Sequence, residues 1–198
     1  MSGAEQAFRG LLSATLALVD ALPEARDFAV GMPRTFAFTP PAPAMLPVTE
    51  EAGQAAGDAA EPARAVGLAF RDVATFAEWQ QTYTEAQVGR AYLDRYGWFN
   101  LISPDGPFTD PHWRISFGYW GRGLEYPRHW HAPEELYVVV AGSALFTSDG
   151  QDPAQLGPGG TRHHSGGEPH GMQITPGPLL AFAIWKGTAL TERATLER

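Results

Sequence analysis

The sequence predicts a mainly β fold: a barrel or sandwich of short strands preceded by an α-helical N-terminal extension. Three observations predict it. Apolar residues in the first thirty positions recur at helical spacing. From residue 98 onward the apolar runs are short and of β type. These runs are separated by Gly/Pro and Asp-Gly turns, which stop a strand and reverse the chain. The 198 residues divide accordingly into a helical extension with a Pro/Ala-rich connector, 1–97, and a β-barrel, 98–198.

Residues 4–30 place Phe8, Leu11, Leu12, Leu16, Val19 and Leu22 on one helical face. Glu5, Arg9, Asp20 and Glu24 flank the apolar run, so it reads as an amphipathic helix rather than a signal peptide. A cytoplasmic location follows as the default. Residues 33–64 are rich in Pro, Ala and Gly around Pro40-Pro41-Ala42-Pro43 and predict an extended connector wrapped over the core. A second helix is expected from about Val73 to Tyr96, capped by Asp72 or Thr75. Its stripe of Phe76, Trp79, Tyr83, Val88, Tyr92 and Tyr96 suits packing against a sheet. Strands are expected at 114–120, 134–141, 143–147, 171–175 and 179–185. Gly142, Asp149-Gly150, Pro158-Gly159-Gly160 and Pro176-Gly177-Pro178 supply the breaks between runs.

Composition excludes several classes. The net charge is −8 and Lys186 is the single lysine, which argues against a nucleic-acid or anionic-membrane partner. No apolar run is long enough to span a bilayer. The absence of cysteine excludes disulfides and Cys-ligated zinc. Six Trp and six Tyr leave aromatic surface to spare, much of it near the histidines.

The chemistry concentrates in one stretch. His129, His131, Glu135 and Tyr137 share one parity: on a strand the two His point together, and beyond the loop residues Ala132 and Pro133, which can break strict parity, Glu135 and Tyr137 again share a face. Imidazole nitrogen with carboxylate oxygen suits Zn, Fe, Mn or Ni rather than Ca or Mg. His170 is the candidate third imidazole. A lone His on a β-face is ordinarily structural. Four ionisable groups buried together without a partner would cost several kcal/mol, roughly, and a metal removes that cost. His163 and His164 are read as turn or ligand-supporting residues with direct ligation as the lesser alternative, and His112 as structural or surface.

Gly123, five residues, His129-x-His131, three residues, Glu135, six residues and Gly142 resemble the first motif of the cupin superfamily. Gly159, five residues, Ser165-x-Gly167-x-x-His170 resembles the second, with Ser165 in place of Pro and Ile174 in place of Asn. The resemblance implies a cupin double-stranded β-helix, a jelly-roll barrel, holding a metal. Tyr126-Pro127-Arg128-His129-Trp130-His131, then Glu134-Glu135-Leu136-Tyr137, His164-Ser165-Gly166-Gly167-Glu168-Pro169-His170 and the 179–185 strand are similar to the cupin-type dimethylsulfoniopropionate lyases.

That resemblance implies a metal-dependent lyase that cleaves a small sulfonium carboxylate, dimethylsulfoniopropionate, to dimethyl sulfide and acrylate. His129, His131, Glu135 and His170 would be the ligands of one divalent transition ion. Tyr137 would be the base, with Tyr126 the second candidate. A free phenol has a pKa of about 10, and a nearby divalent cation lowers it. Trp185, Tyr126 and Trp120 would bind the substrate's sulfonium over their faces. Trp130, between two ligands, should point away and pack against a helix. Dimerisation is an expectation at the level of the family, with the N-terminal helices as candidate interface. Two alternatives stand. One is another metal-dependent cupin enzyme: a dioxygenase, or a lyase on a related small carboxylate. The other is a non-catalytic ligand-binding cupin.

Overall fold

Ser2 caps the first helix, its Oγ accepting from the Glu5 N–H at 3.1 Å. The structure is a computed structural model describing residues 1–197. Helix α1 (Gly3–Ala21) buries Phe8, Leu11, Leu12, Leu18 and Val19, and α2 (Pro23–Phe28) follows after one residue. The single helix expected over 4–30 is therefore two. Pro23 has no N–H to continue the ladder, but its fixed φ suits the first position of a new helix.

The next stretch departs further from expectation. The connector does run extended over the core at first, where Phe38 bridges to Phe108. It then forms α3 (Thr49–Ala56), and α4 (Arg64–Val73) follows. Alanine carries the highest helix propensity, so the Ala-rich composition taken for a linker makes helix once a surface is there to pack on. The helix expected over 73–96 is absent. After α4 the chain is irregular, with Gln80 bridging Trp98, and only the short turns α5 (Glu85–Val88) and α6 (Arg90–Leu93) are helical. Gly89, at φ 79°, separates the two. Aromatic spacing had suggested a helix, but the β-branched and aromatic residues between Val73 and Tyr83 have little intrinsic reason to form one.

The sheet comprises β1 (Tyr96–Ser103), β2 (Phe108–Thr109), β3 (Trp113–Trp120), β4 (Glu125–Trp130), β5 (Glu134–Ser148), β6 (Gln151–Leu156), β7 (Thr161–His164), β8 (His170–Lys186) and β9 (Thr195–Leu196). Two pairs of expected strands are fused. Residues 134–141 and 143–147 form one bent β5, and 171–175 and 179–185 form one bent β8. The glycine and prolines act as bends inside a ladder rather than as ends. β5 and β8 pair from Glu134↔Lys186 to Ser148↔His170, with register shifts on either side of Ala141. Gly142, at φ 74°, sits so close to the other strand that a Cβ would lie 1.7 Å from the Pro178 carbonyl oxygen. Asp149-Gly150 closes the β5–β6 hairpin between Ser148 and Gln151, as its sequence predicts.

Both long strands turn the corner of the barrel. The second half of β8 lies between β3 and the first half of β5, while its first residues pair with β4 and the far end of β5. Alternation then sorts the side chains. Ile115, Phe117, Leu136, Val138, Phe182 and Ile184 face the helices and join Phe8, Val66 and Phe70 in one core. Arg114, Ser116, Trp120, Glu135, Tyr137 and Trp185 point into the barrel. A sheet with two buried faces needs cover on both sides, and α1 and α4 cover the outer one. Phe70 couples the layers, its ring centroid 5.6 Å from both Phe99 and Phe117 and 6.1 Å from Trp79. Phe70→Ala is expected to cost about 3–5 kcal/mol of unfolding free energy, the range for emptying a fully buried aromatic site. Urea denaturation should show a lowered midpoint at unchanged slope.

Candidate active site

Strand register assembles a cluster of ionisable groups from residues far apart in sequence. His129 on β4 pairs with His170 on β8. Glu135 on β5 is flanked by His164 on β7 and Trp185 on β8. His131 follows β4 by one residue and turns inward. All five ionisable side chains are buried. Ring centroids are 4.3 Å apart for His129–His170, 5.1 Å for His131–His170 and 6.0 Å for His129–His131.

The hydrogen bonds behind the rings fix what faces forward. His129 Nδ1 donates to the Pro127 carbonyl at 2.9 Å, His131 Nδ1 to Pro133 at 2.9 Å and His170 Nδ1 to Glu168 at 2.8 Å. A carbonyl only accepts, so Nδ1 carries the proton in each case and Nε2 presents its lone pair to the centre. Glu135 Oε2 lies 3.2 Å from His131 Nε2 and 3.1 Å from His170 Nε2. His170 Nε2 has no hydrogen-bond partner. Lone pairs and a carboxylate oxygen directed at one point repel unless a positive charge lies between them. One ligand atom from each of His129, His131 and His170 lies within 4.8 Å of the others. The donor set therefore fits a divalent transition ion.

Electrostatics agree. Burial first, then His170, lowers the His129 pKa to about 3, keeping the imidazole neutral and able to ligate. Burial opposes ionisation of Glu135, yet the proximity of His131, and then of His170, holds the carboxyl well below the usual carboxylate range. Trp185 Nε1 donates to Glu135 Oε1 at 2.5 Å, and the same indole stacks on His131 at 4.1 Å.

Tyr137 and Tyr126 adjoin the cluster. Tyr126 lies 4.5 Å from the His129 ring, and Tyr137 lies 6.5 Å from His170. Burial, then the Glu135 charge, pushes the Tyr137 phenol well above its ordinary value. Burial, then the neighbouring phenols Tyr83 and Tyr96, does the same to Tyr126. Trp120 meets Tyr126 at 5.3 Å and Tyr137 at 6.3 Å. Its ring folds back along β3 over Gly118, where a Cβ would lie 2.4 Å from Trp120 Cη2. These groups line a cavity of ≈ 120 Å³, room for a small molecule.

Several placements were not expected. Trp130 packs against no helix. It is 42% exposed on β4, opposite Thr195 of β9. Its parity is outward, but among the described residues it is Gly167, Pro169 and Leu196 that surround it there, not a helix. His164 sits inside the cluster, stacked on His170 at 4.0 Å with neither ring nitrogen hydrogen-bonded. With Glu135 and His170 it forms a second group of mutually close donor atoms. His163 bonds Glu134 at 2.8 Å beside Phe28 instead, and His112 is exposed. Residues that sequence reasoning missed are Arg114, Trp98 and Tyr96 in the cavity wall, with the 190–194 segment across them. Arg114 shares its strand parity with Trp120, a signal that was readable. Trp98 carried none, and Tyr96 was assigned to a helical stripe.

A model of the dimethylsulfoniopropionate lyase family matches residues 39–181. The chain is 30% identical over 187 residues to dimethylsulfoniopropionate lyase DddQ of Ruegeria pomeroyi, covering 94% of this chain and 92% of the relative. It superposes on a solved chain from the crystal structures of the dimethylsulfoniopropionate lyases RdDddP and RnDddQII with a TM-score of 0.93, at 38% identity and over 100% of both chains. The crystal structure of DddQ from Ruegeria pomeroyi DSS-3 gives 0.88 at 31% identity, over 96% of each chain.

The bond from Trp185 to Glu135 makes a specific prediction. Trp185→Phe keeps a ring against His131 and removes the donor, and should weaken metal binding about 10- to 100-fold. Competition with a chromogenic chelator measures it. An unchanged affinity would mean that Glu135 needs no such orientation.

Proposed function

The chain belongs to the dimethylsulfoniopropionate lyase family, and from that membership we propose how its barrel cleaves dimethylsulfoniopropionate to dimethyl sulfide and acrylate by β-elimination. It is a carbon–sulfur lyase acting on a small molecule. His129, His131, His170 and Glu135 hold one divalent ion, Zn, Fe, Mn or Ni, by their donor chemistry. When bound, such an ion supplies a Lewis-acid charge that acidifies the C–H beside a substrate carboxylate and favours a nearby phenolate.

The remaining work falls to side chains. Tyr137 takes the proton from the α-carbon. The C–H electron pair becomes the carbon–carbon double bond of acrylate, and the C–S bond breaks with its pair leaving on sulfur. Dimethyl sulfide departs neutral, so no acid is required, and the phenol returns its proton to solvent. Tyr126, against His129, orients the substrate beside that base. Trp120 and Tyr126 receive the sulfonium, each contact contributing roughly 0.5–2 kcal/mol. Trp185 lines the cavity with its ring already set against His131, and its contribution is to hold Glu135.

The observation that carries this reading is Tyr137 itself: two residues beyond Glu135 on β5, inside the cavity that His129 and Glu135 line. Tyr137→Phe should abolish turnover while metal content stays at the wild-type level. Headspace gas chromatography for dimethyl sulfide, run anaerobically on metal-reconstituted protein, tests it. Sulfide and acrylate should appear in equal amounts without oxygen. Loss of metal in the variant would make Tyr137 a ligand, and a requirement for oxygen would replace elimination by oxidation.

A further inference from the structure

The cavity contains a buried cation that the elimination chemistry above does not use. Arg114, on the inward face of β3, is 8% exposed, and no carboxylate among the described residues comes within ion-pair distance, 4.0 Å, of it. The nearest acids are committed elsewhere. Asp105 accepts from Ser103 Oγ at 2.7 Å and Asn100 Nδ2 at 3.4 Å, and Glu135 is held by the imidazoles and Trp185. A buried guanidinium without a counter-ion is costly, and proteins ordinarily pair one.

The guanidinium is also held rigidly. Nε donates to Ser116 Oγ at 2.7 Å and Asn100 Oδ1 at 3.1 Å, and Nη1 donates to the Leu190 carbonyl at 2.9 Å. The rings of Trp98 and Trp185 lie 4.7 and 4.5 Å from Cζ. Nη2 makes no hydrogen bond among the described residues. Burial, chiefly, pulls the guanidinium pKa down, against the opposing pull of Asp105 and Glu135. Its hydrogen-bond partners are neutral, Asp105 and Glu135 are engaged by other groups, and the remaining direction is the cavity it lines, whose wall also carries the exposed Glu192.

We propose that Arg114 is the carboxylate anchor of this cavity and selects short zwitterions by their anionic end. This inference rests on the lyase reading for the identity of the substrate. Arg114 Nε reaches Ser116 Oγ at 2.7 Å, so the guanidinium lies over residue 116, two residues or about 7 Å along β3 from Gly118, over which the Trp120 ring lies. The inward face of one strand thus presents a cation at one end and an aromatic face at the other. A bound zwitterion has its carboxylate directed to Arg114 and its sulfonium to Trp120. The free Nη2 of Arg114 takes one carboxylate oxygen, and the other is left on the side where an ion held by His129, His131, His170 and Glu135 would lie. Sulfonium placed against Trp185 would meet the Arg114 charge, so the reversed pose is disfavoured.

Binding of two probes to metal-reconstituted wild type, Arg114→Met and Arg114→Lys tests the assignment without turnover. Propionate reports the anionic end and ethyldimethylsulfonium the cationic end, both by isothermal titration. Arg114→Met should bind propionate about 10- to 100-fold more weakly, the loss expected for a charge-assisted bond. Its affinity for the sulfonium probe should be unchanged, and in turnover KM should rise far more than kcat. Its melting temperature without ligand should equal or exceed wild type, because an unpaired buried charge has gone, whereas a structural arginine would leave it lower. Arg114→Lys keeps the charge without the planar group that Ser116, Asn100 and Leu190 hold in place, and should lose affinity for propionate about 10-fold, even if the Met variant does not fold. Unchanged propionate affinity in a folded variant, or equal loss for both probes, overturns the proposal. Arg114-dependent propionate binding in a protein that releases no dimethyl sulfide would keep the anchor and remove the lyase reading.

Discussion

The antiparallel ladder between β5 and β8 is the constraint on which this molecule depends. It joins strands of 15 and 17 residues through two bends. Its register places Trp185 opposite Glu135 at one end and His170 opposite Ser148 at the other. A one-residue slip would turn Glu135 and Tyr137 toward the helices and Leu136 and Val138 into the cavity. The bulges beside Ala141 and the glycine at 142 fix where each strand bends, and so where each half of the ladder points. Chemistry at one end of the barrel is thereby set by packing along its whole length.

The inward face is expensive. Glu135, four imidazoles and Arg114 are all buried there, and several of their polar atoms lack partners. Such groups are stable only where their surroundings are already determined. The outer face offsets this cost. Phe8, Phe70, Phe117 and Phe182 build an apolar core between sheet and helices with hardly a polar atom in it. The helical extension is therefore part of the same structural unit as the barrel, sharing its main core.

The segment from 74 to 96 links the two roles. Trp79 anchors it to the outer core, its Nε1 bonded to the Ala74 carbonyl at 2.7 Å. Beyond that anchor Tyr83, Tyr92 and Tyr96 join Trp120, Tyr126 and Tyr137 in the inner cluster. The buried imidazoles and Glu135 come from strands or, for His131, from the residue after one, and part of the aromatic wall comes from irregular chain held by packing. Tyr83 and Tyr92 keep buried hydroxyls without partners, so this wall is held by shape more than by hydrogen bonds.

The sequence by itself determined the class of fold and the shortlist of candidate ligands. Alternation is local: it relates His129 to His131 and Glu135 to Tyr137, while the turn between β4 and β5 separates the two pairs. The α1 amphipathic face and the Asp149-Gly150 turn were legible for the same reason. What tertiary structure decided were relations between distant segments. His164 joins the cluster because β7 pairs with β5, and Arg114 enters the cavity wall because β3 pairs with β8 beside Trp185. Periodicity misled over 73–96, where aromatic residues at helical intervals pack from a non-helical chain, and over 49–56, where alanines read as linker form a helix on a surface the sequence does not display. The physical reason is common to both: local propensity amounts to a few tenths of a kcal/mol per residue, roughly, and burial against a neighbour outweighs it.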